Sequence, residues 1–246
     1  NYCFVFNVSA TTGLYMLSLR DARPIFSGEV IGELLPAPAR LRGLSPGIPG
    51  VAGGVDAAMA TLAAGVLTPG NHVAMLGTSM CWGFVNRRTD AQLGLISMPS
   101  VHKPADYLYI FGGAITAGAS ISWFREQFCT REKHAAAMGV GVDVHQLMED
   151  EAGKTPPGAD GLVFLPYMMG ERSPVWDAQA SGAYVGLSLY HTSAHLYRAV
   201  LAGLGYALRH NIERCRHGAQ RLDPQLLPVG CAAASALWPQ ISAELP

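Results

Sequence analysis

From Thr192 to Gly218 the chain reads TSAHLYRAVLAGLGYALRHNIERCRHG, and the pattern predicts one long amphipathic helix. Leu196, Val200, Leu204, Leu208 and Ile212 recur every fourth residue, which places them in a single apolar stripe facing a core. Thr192 or Ser193 can cap the start, and Gly218 can stop the end. The rest of the chain must supply the surface this stripe covers.

Strand-like segments alternate with helical ones along the sequence. HVAMLGTSMCWGFV, residues 72 to 85, reads as two short strands around a Gly-Thr-Ser turn. AGASISWFREQF, 117 to 128, sets Ile121, Phe124 and Phe128 at helical spacing. HAAAMGVGVDVHQLMEDEAG predicts a short helical region, and the linker KTPPGAD follows it. GLVFLPYMMG reads as a buried strand running into a loop. QLLPVGCAAASALWPQISAEL reads as a strand, a small-residue turn and the start of a helix. VDAAMATLAAGV has helix-forming composition, with Asp56 as its N-cap candidate. Residues 1 to 50 are poorly patterned, with turn signals at RDARP and LSPGIPG. The alternation points to an α/β class.

The bulk numbers exclude several functions. Of 246 residues 50% are hydrophobic and 14% charged, which supports a sizeable core and argues against disorder. A net charge of −1 with no basic block argues against a nucleic-acid binder. No segment reads as membrane-spanning, and the first residues show no basic leader or cleavage pattern. Five cysteines, Cys3, Cys81, Cys129, Cys215 and Cys231, form no CxxC pair and fit reduced thiols in the cytoplasm.

Four stretches carry chemistry, each with an ordinary alternative. In GGVDAA, Asp56 is either a general base at a strand-to-helix turn or a plain cap. In MLGTSMCWG, Gly77, Thr78 and Ser79 either offer N–H and hydroxyl donors to a phosphate or make an ordinary hairpin. No lysine follows, so this is not a Walker A loop. MMGERSPVWDAQASGAYVGLSLYHT gathers Glu171, Arg172, Pro174, Trp176 and Asp177 into an ordered loop with an expected internal ion pair. PVGCAAASALW places small residues between strand and helix, where a nucleotide can lie against the backbone or the two elements can simply pack closely. His191 and His195 stand four apart, but with neither HExxH nor a third ligand at hand they read as solvated or capping residues.

Taken in order, VAGGVDAAMATLAAGVLTPG, LGTS, FLPYMMGERSPVWDAQASGAYVGLSLYHTSAHLYRAVLAGLGYAL and VGCAAASALWPQI resemble the FGGY family of carbohydrate kinases, with a xylulokinase-like flavour. The resemblance runs from about Gly28 onward. It implies an actin-like ATPase fold built from ribonuclease H-like α/β domains, with ATP and Mg²⁺ bound in a cleft and a sugar hydroxyl taking the terminal phosphate. Asp56 matches the catalytic base, and Gly54 with Asp56 the sugar site. Gly77, Thr78 and Ser79 match the turn that holds the terminal phosphate. Gly230, Cys231, Ala232 and Ser235 match the adenosine turn. Residues 1–70 are expected to be the tail of the N-terminal, sugar-binding domain, and 71–246 the C-terminal domain, truncated at its end.

The departures are as informative. Family members are longer and carry an Asp-x-Gly-Thr phosphate loop that this sequence lacks. Cys231 and Ala232 replace glycines in the adenosine turn, and Ala234 replaces a basic residue. These features fit a fragment of a ketose or polyol kinase with little or no activity of its own. The alternative is a non-catalytic, nucleotide-binding remnant. Open sheet edges would favour self-association, including a homodimer. A small-molecule sugar is the expected partner, with no nucleic acid and no membrane.

Overall fold

The computed structural model describes residues 26–88, 93–130, 143–217, 221–230, 235 and 237–244. The chain divides into two compact units, residues 1–54 and 55–246. In the first, strand β1 (Val30–Glu33) pairs antiparallel with β2 (Pro49–Val51), and helix α1 (Pro36–Arg42) lies between them in sequence. Pro36 opens α1, where its missing N–H is no loss, and Gly43 closes it in the left-handed conformation. Arg40 and Arg42 sit in the last turn, where the helix dipole favours cations.

The second unit is built on a five-stranded sheet of order β5-β6-β4-β3-β9. Its strands are β3 (His72–Leu76), β4 (Met80–Asn86), β5 (Ile96–Pro99), β6 (Leu108–Gly112) and β9 (Leu226–Val229). All neighbours are antiparallel except β3 and β9, which run parallel with Met75 opposite Val229. A separate hairpin pairs β7 (Val163–Leu165) with β8 (Ala183–Val185). The helices are α2 (Asp56–Ala63), α3 (Gly118–Phe128), α4 (Val144–Gly153), α5 (Ser193–His217) and α6 (Leu237–Glu244).

The sheet has two buried faces, and the period of two along its strands decides what each receives. Ala74, Leu76, Trp82 and Phe84 join the main core with Phe124 of α3, Leu201 and Leu204 of α5 and Trp238 of α6. Val73 and Val85 join Val66 in a smaller cluster on the other side. Buried Tyr197, Val200, Leu204 and Leu208 define the inner face of α5, close to the predicted stripe. Both core tryptophans find acceptors: Trp238 Nε1 donates to the Leu201 carbonyl at 2.9 Å and Trp82 Nε1 to His72 Nδ1 at 3.1 Å. His72 Nε2 then donates to the Asp223 carbonyl at 3.0 Å, and the Asn71 amide donates to the Asp223 carboxylate. This network ties the residues before β9 to the start of β3.

The alternation of helices and strands is as expected, but β5, β6, β8 and the β1–β2 pair were not legible. The helix predicted around 134–153 is observed over Val144–Gly153, and residues 131–142 lie outside the described residues. Among the described residues, no helix is long and apolar enough to cross a membrane.

Candidate active site

Strands β3 and β4 meet at their last pair, Leu76 and Met80, leaving Gly77, Thr78 and Ser79 to make the turn. Leu76 and Met80 are buried, whereas Gly77 and Thr78 are exposed. The turn is seated from behind on the start of α3. Ala117 N and Ala119 N donate to the Thr78 carbonyl at 2.9 and 3.1 Å, and Gly118 N donates to the Gly77 carbonyl at 2.9 Å. A Cβ on Gly118 would come within 2.7 Å of the Gly77 carbonyl oxygen, so the approach requires glycine. The first amides of α3 therefore hold the turn rather than a ligand. The sequence reading did not single out the connection 113–117 or Gly118. The small-residue run GGAITAG was the available signal.

Gly230 follows β9, whose parallel partner is β3, so the topology brings it beside the start of the Gly77 turn. Its φ is 102°, and a Cβ there would lie 2.6 Å from the Leu76 carbonyl oxygen. Two segments separated by about 150 residues of chain thus end side by side at the carboxyl ends of two parallel strands, the usual ligand end of an α/β sheet. Ser235 has its hydroxyl engaged at the head of α6, where it accepts the Trp238 N–H at 3.0 Å. Cys231 and Ala232 lie outside the described residues.

Asp56 is the first residue of α2, and Val55 takes the cap position, one residue earlier than expected. Its carboxylate is exposed and accepts the Ala57 N–H at 2.8 Å, so it carries no burial penalty. Gly54 is also exposed; it lies in the first unit and Asp56 in the second. Helix α2 packs on β3 and β4. Cys81, next to Met80 in β4, has its thiol pushed up by burial; its Tyr109 hydrogen bond and Arg172 oppose the shift, and the Asp56 charge adds to it. Asp56 therefore lies within electrostatic reach of the strand end that carries the Gly77–Ser79 turn. Tyr109, whose hydroxyl lies 3.9 Å from the Cys81 sulfur, is raised chiefly by burial and feels the same carboxylate.

The Glu171–Asp177 loop is ordered, but not by the expected ion pair. Among the described residues Arg172 forms no salt bridge with Glu171 or Asp177; backbone bonds close the loop instead. Glu171 N donates to Asp177 O at 2.8 Å, Asp177 N to Glu171 O at 3.0 Å and Trp176 N to Arg172 O at 2.6 Å. Trp176 has φ of 54° and its indole N–H donates to the Gly94 carbonyl at 2.6 Å. Glu171 is buried, with its carboxyl accepting backbone N–H groups from Ile115 and Arg172. Burial holds that carboxyl above the usual range, with the two N–H bonds and the Arg172 charge opposing it.

His195 acts at the head of α5, and His191 lies in the turn before it. His195 Nδ1 accepts the Thr192 N–H at 3.1 Å and its Nε2 faces Asp160 at 3.1 Å, while His191 Nδ1 accepts the Ser188 N–H at 2.9 Å. His195 is thus a capping histidine, whereas the His191 ring is held in the turn before α5. Among the described residues no group of three or more His, Cys, Asp or Glu side chains could hold a metal ion.

Residues 72–245 match the C-terminal domain of a known family, the FGGY family of carbohydrate kinases. The chain belongs to this family. A xylulose kinase of Staphylococcus epidermidis strain RP62A is 30% identical over 226 residues, covering 89% of this chain and 42% of the relative. A ribulokinase of Halalkalibacterium halodurans is 34% identical over 182 residues, covering 74% of this chain and 32% of the relative. The crystal structure of xylulose kinase from Rhodospirillum rubrum is 26% identical with a TM-score of 0.77, covering 95% of this chain and 45% of that one. This FGGY chain thus spans less than half the length of the relatives it matches, and its fold is that of the C-terminal domain of an actin-like ATPase.

Proposed function

We propose that this FGGY chain is the C-terminal portion of an ATP-dependent kinase that phosphorylates a ketose or polyol hydroxyl, xylulose being the first substrate to test. The observation that supports it most is the gathering of the Gly77–Ser79 turn and Gly230 at the carboxyl ends of β3 and β9, with Asp56 in electrostatic reach. Phosphoryl transfer depends on positioning and charge rather than on covalent chemistry from the protein. Asp56, exposed at a helix start, accepts the proton of the attacking hydroxyl and orients it. Thr78 and Ser79, with Gly77, hold the terminal phosphate. Gly230, Cys231, Ala232 and Ser235 are the residues assigned to the adenosine.

Residues 1–70 belong in this reading to the sugar-binding domain, with Gly54 beside the substrate, and 71–246 to the nucleotide-binding one. Bound ATP with Mg²⁺ supplies the phosphoryl group and neutralises charge on it. The Asp56 carboxylate and the Thr78 and Ser79 hydroxyls are hard-oxygen donors of the kind Mg²⁺ accepts, and such an ion commonly keeps waters and substrate phosphate oxygens among its ligands. Among the described residues Cys81, Cys129 and Cys215 form no disulfide, which fits a cytoplasmic setting.

The test is ATP-dependent phosphorylation across a panel of ketoses, polyols and gluconate. It would be run on this chain and on a longer chain carrying it, each with and without Asp56→Asn. Turnover that disappears in the variant supports the kinase. ATP binding without turnover in both chains would replace it with the non-catalytic remnant.

A further inference from the structure

Glu171 has no part in the roles assigned above, yet it is only 4% exposed. Its Oε1 accepts two backbone N–H groups, from Ile115 at 3.0 Å and from Arg172 at 2.7 Å. Its Oε2 is buried with no partner, and so is Asn211 Oδ1. Both residues line one crevice with Tyr167, Ser173 and His210. A buried carboxyl with an unpaired oxygen costs free energy that an apolar side chain would not. What it provides is the pair of bonds at Oε1.

Those bonds reach the phosphate turn in two steps. Ile115 lies in the connection 113–117 between β6 and α3. On one side of it the Ala114 carbonyl accepts the Met80 N–H at 3.0 Å. On the other side Ala117 N donates to Thr78 O. The Thr116 hydroxyl donates to the Pro166 carbonyl, a second tie from this connection to the segment after β7. Glu171 therefore holds, from the middle, the connection that grips the Gly77–Ser79 turn at both flanks.

We propose that Glu171 is a positioning residue for the phosphate turn, locking the connection 113–117 against the Arg172 loop so that Gly77, Thr78 and Ser79 are held in one geometry. The proposal rests on the reading of that turn as the holder of the terminal phosphate. The charged and titratable groups facing Glu171 are Arg172, Tyr167 and His210. Glu171→Gln keeps an oxygen for both N–H groups and turns an amide donor toward the crevice where Asn211 Oδ1 lacks one. Glu171→Ala removes the clamp, and Glu171→Asp withdraws it by one methylene.

The experiment measures amide hydrogen exchange at Ala117, Gly118 and Ala119 and the dissociation constant for MgATP in the whole chain. It compares the wild type with Glu171→Gln, Glu171→Ala, Glu171→Asp and Thr78→Ala. The proposal expects Glu171→Ala to speed exchange at all three amides and to weaken MgATP by about tenfold, with Glu171→Gln within about twofold of wild type in both. If Glu171→Ala does not fold, Glu171→Asp is held to the same expectation. Unchanged exchange at the three amides overturns the proposal, as does faster exchange with unaltered MgATP affinity, or a Gln variant as impaired as the Ala one. Thr78→Ala separates the two readings. If it binds MgATP as wild type does, or if the wild type binds none, the phosphate reading falls, while the exchange data still decide whether Glu171 holds the turn.

Discussion

Gly230 approaches Leu76 so closely that a Cβ on the glycine would stand 2.6 Å from the Leu76 carbonyl oxygen. The contact follows from the parallel pairing of β9 with β3, and it sets the end of one strand against the beginning of the Gly77 turn on the other. Gly230→Ala meets both a backbone clash and a φ of 102° that L-residues avoid. The expected loss is about 2 kcal/mol or more of stability, read from urea unfolding, with weaker MgATP binding in the folded fraction.

Asp56→Asn removes a charge from an exposed helix start and leaves the core untouched. Circular dichroism and the unfolding midpoint should match the wild type. In a longer kinase carrying this chain, kcat should fall by roughly a hundredfold to ten-thousandfold, the range expected for loss of a general base. A variant that keeps its kcat would remove Asp56 from the catalytic role.

Gly118→Ala sets two effects against each other. Alanine gains about 1 kcal/mol over glycine inside a helix. Its Cβ, however, would sit 2.7 Å from the Gly77 carbonyl oxygen, which is backbone and cannot swing aside. The clash should win. The variant is expected to be less stable than wild type, and the Gly77–Ser79 amides should exchange faster; a stabilised variant would show that the turn yields easily.

His72 gives the second unit a pH dependence. Its Nδ1 must be unprotonated to accept the Trp82 N–H, and burial is the largest cause holding its pKa below the ordinary histidine value of about 6.5. The unfolded chain therefore binds more protons than the folded one below about pH 6.5. Stability is fully present above that value and declines as pH falls toward the lowered folded pKa. The urea midpoint of the wild type should drop on acidification from pH 7 to pH 5 more steeply than that of His72→Gln, which can accept from Trp82 and donate to Asp223 without titrating. Equal slopes would refute the assignment.

Much of the carboxyl end of β3 and β9 was legible because short motifs there obey local rules. The turn at Gly77–Ser79 stood out as three small or hydroxyl residues between two apolar runs, and the strand break at Gly230 as a glycine between β and helical patterns. The Glu171 loop was recognised as special, but its internal bonding was misjudged. Composition shows an arginine beside two carboxylates, whereas folding buries Glu171 against the Ile115 and Arg172 amides and leaves the Arg172 side chain exposed. Strands β5 and β6 escaped notice because ISMP is only four residues long and LYIFG has no alternation to read.

The sequence by itself determined the long helix α5, the α/β class and the family, since helical periodicity and extended motifs are carried by neighbouring residues. Only the tertiary structure decided which motifs meet. Gly77 and Gly230 become neighbours because β9 returns parallel to β3, and Glu171 reaches Ile115 across a fold no local pattern encodes. Strand order and buried hydrogen bonds depend on contacts between residues far apart in the chain, and their geometry is settled when the core closes around them.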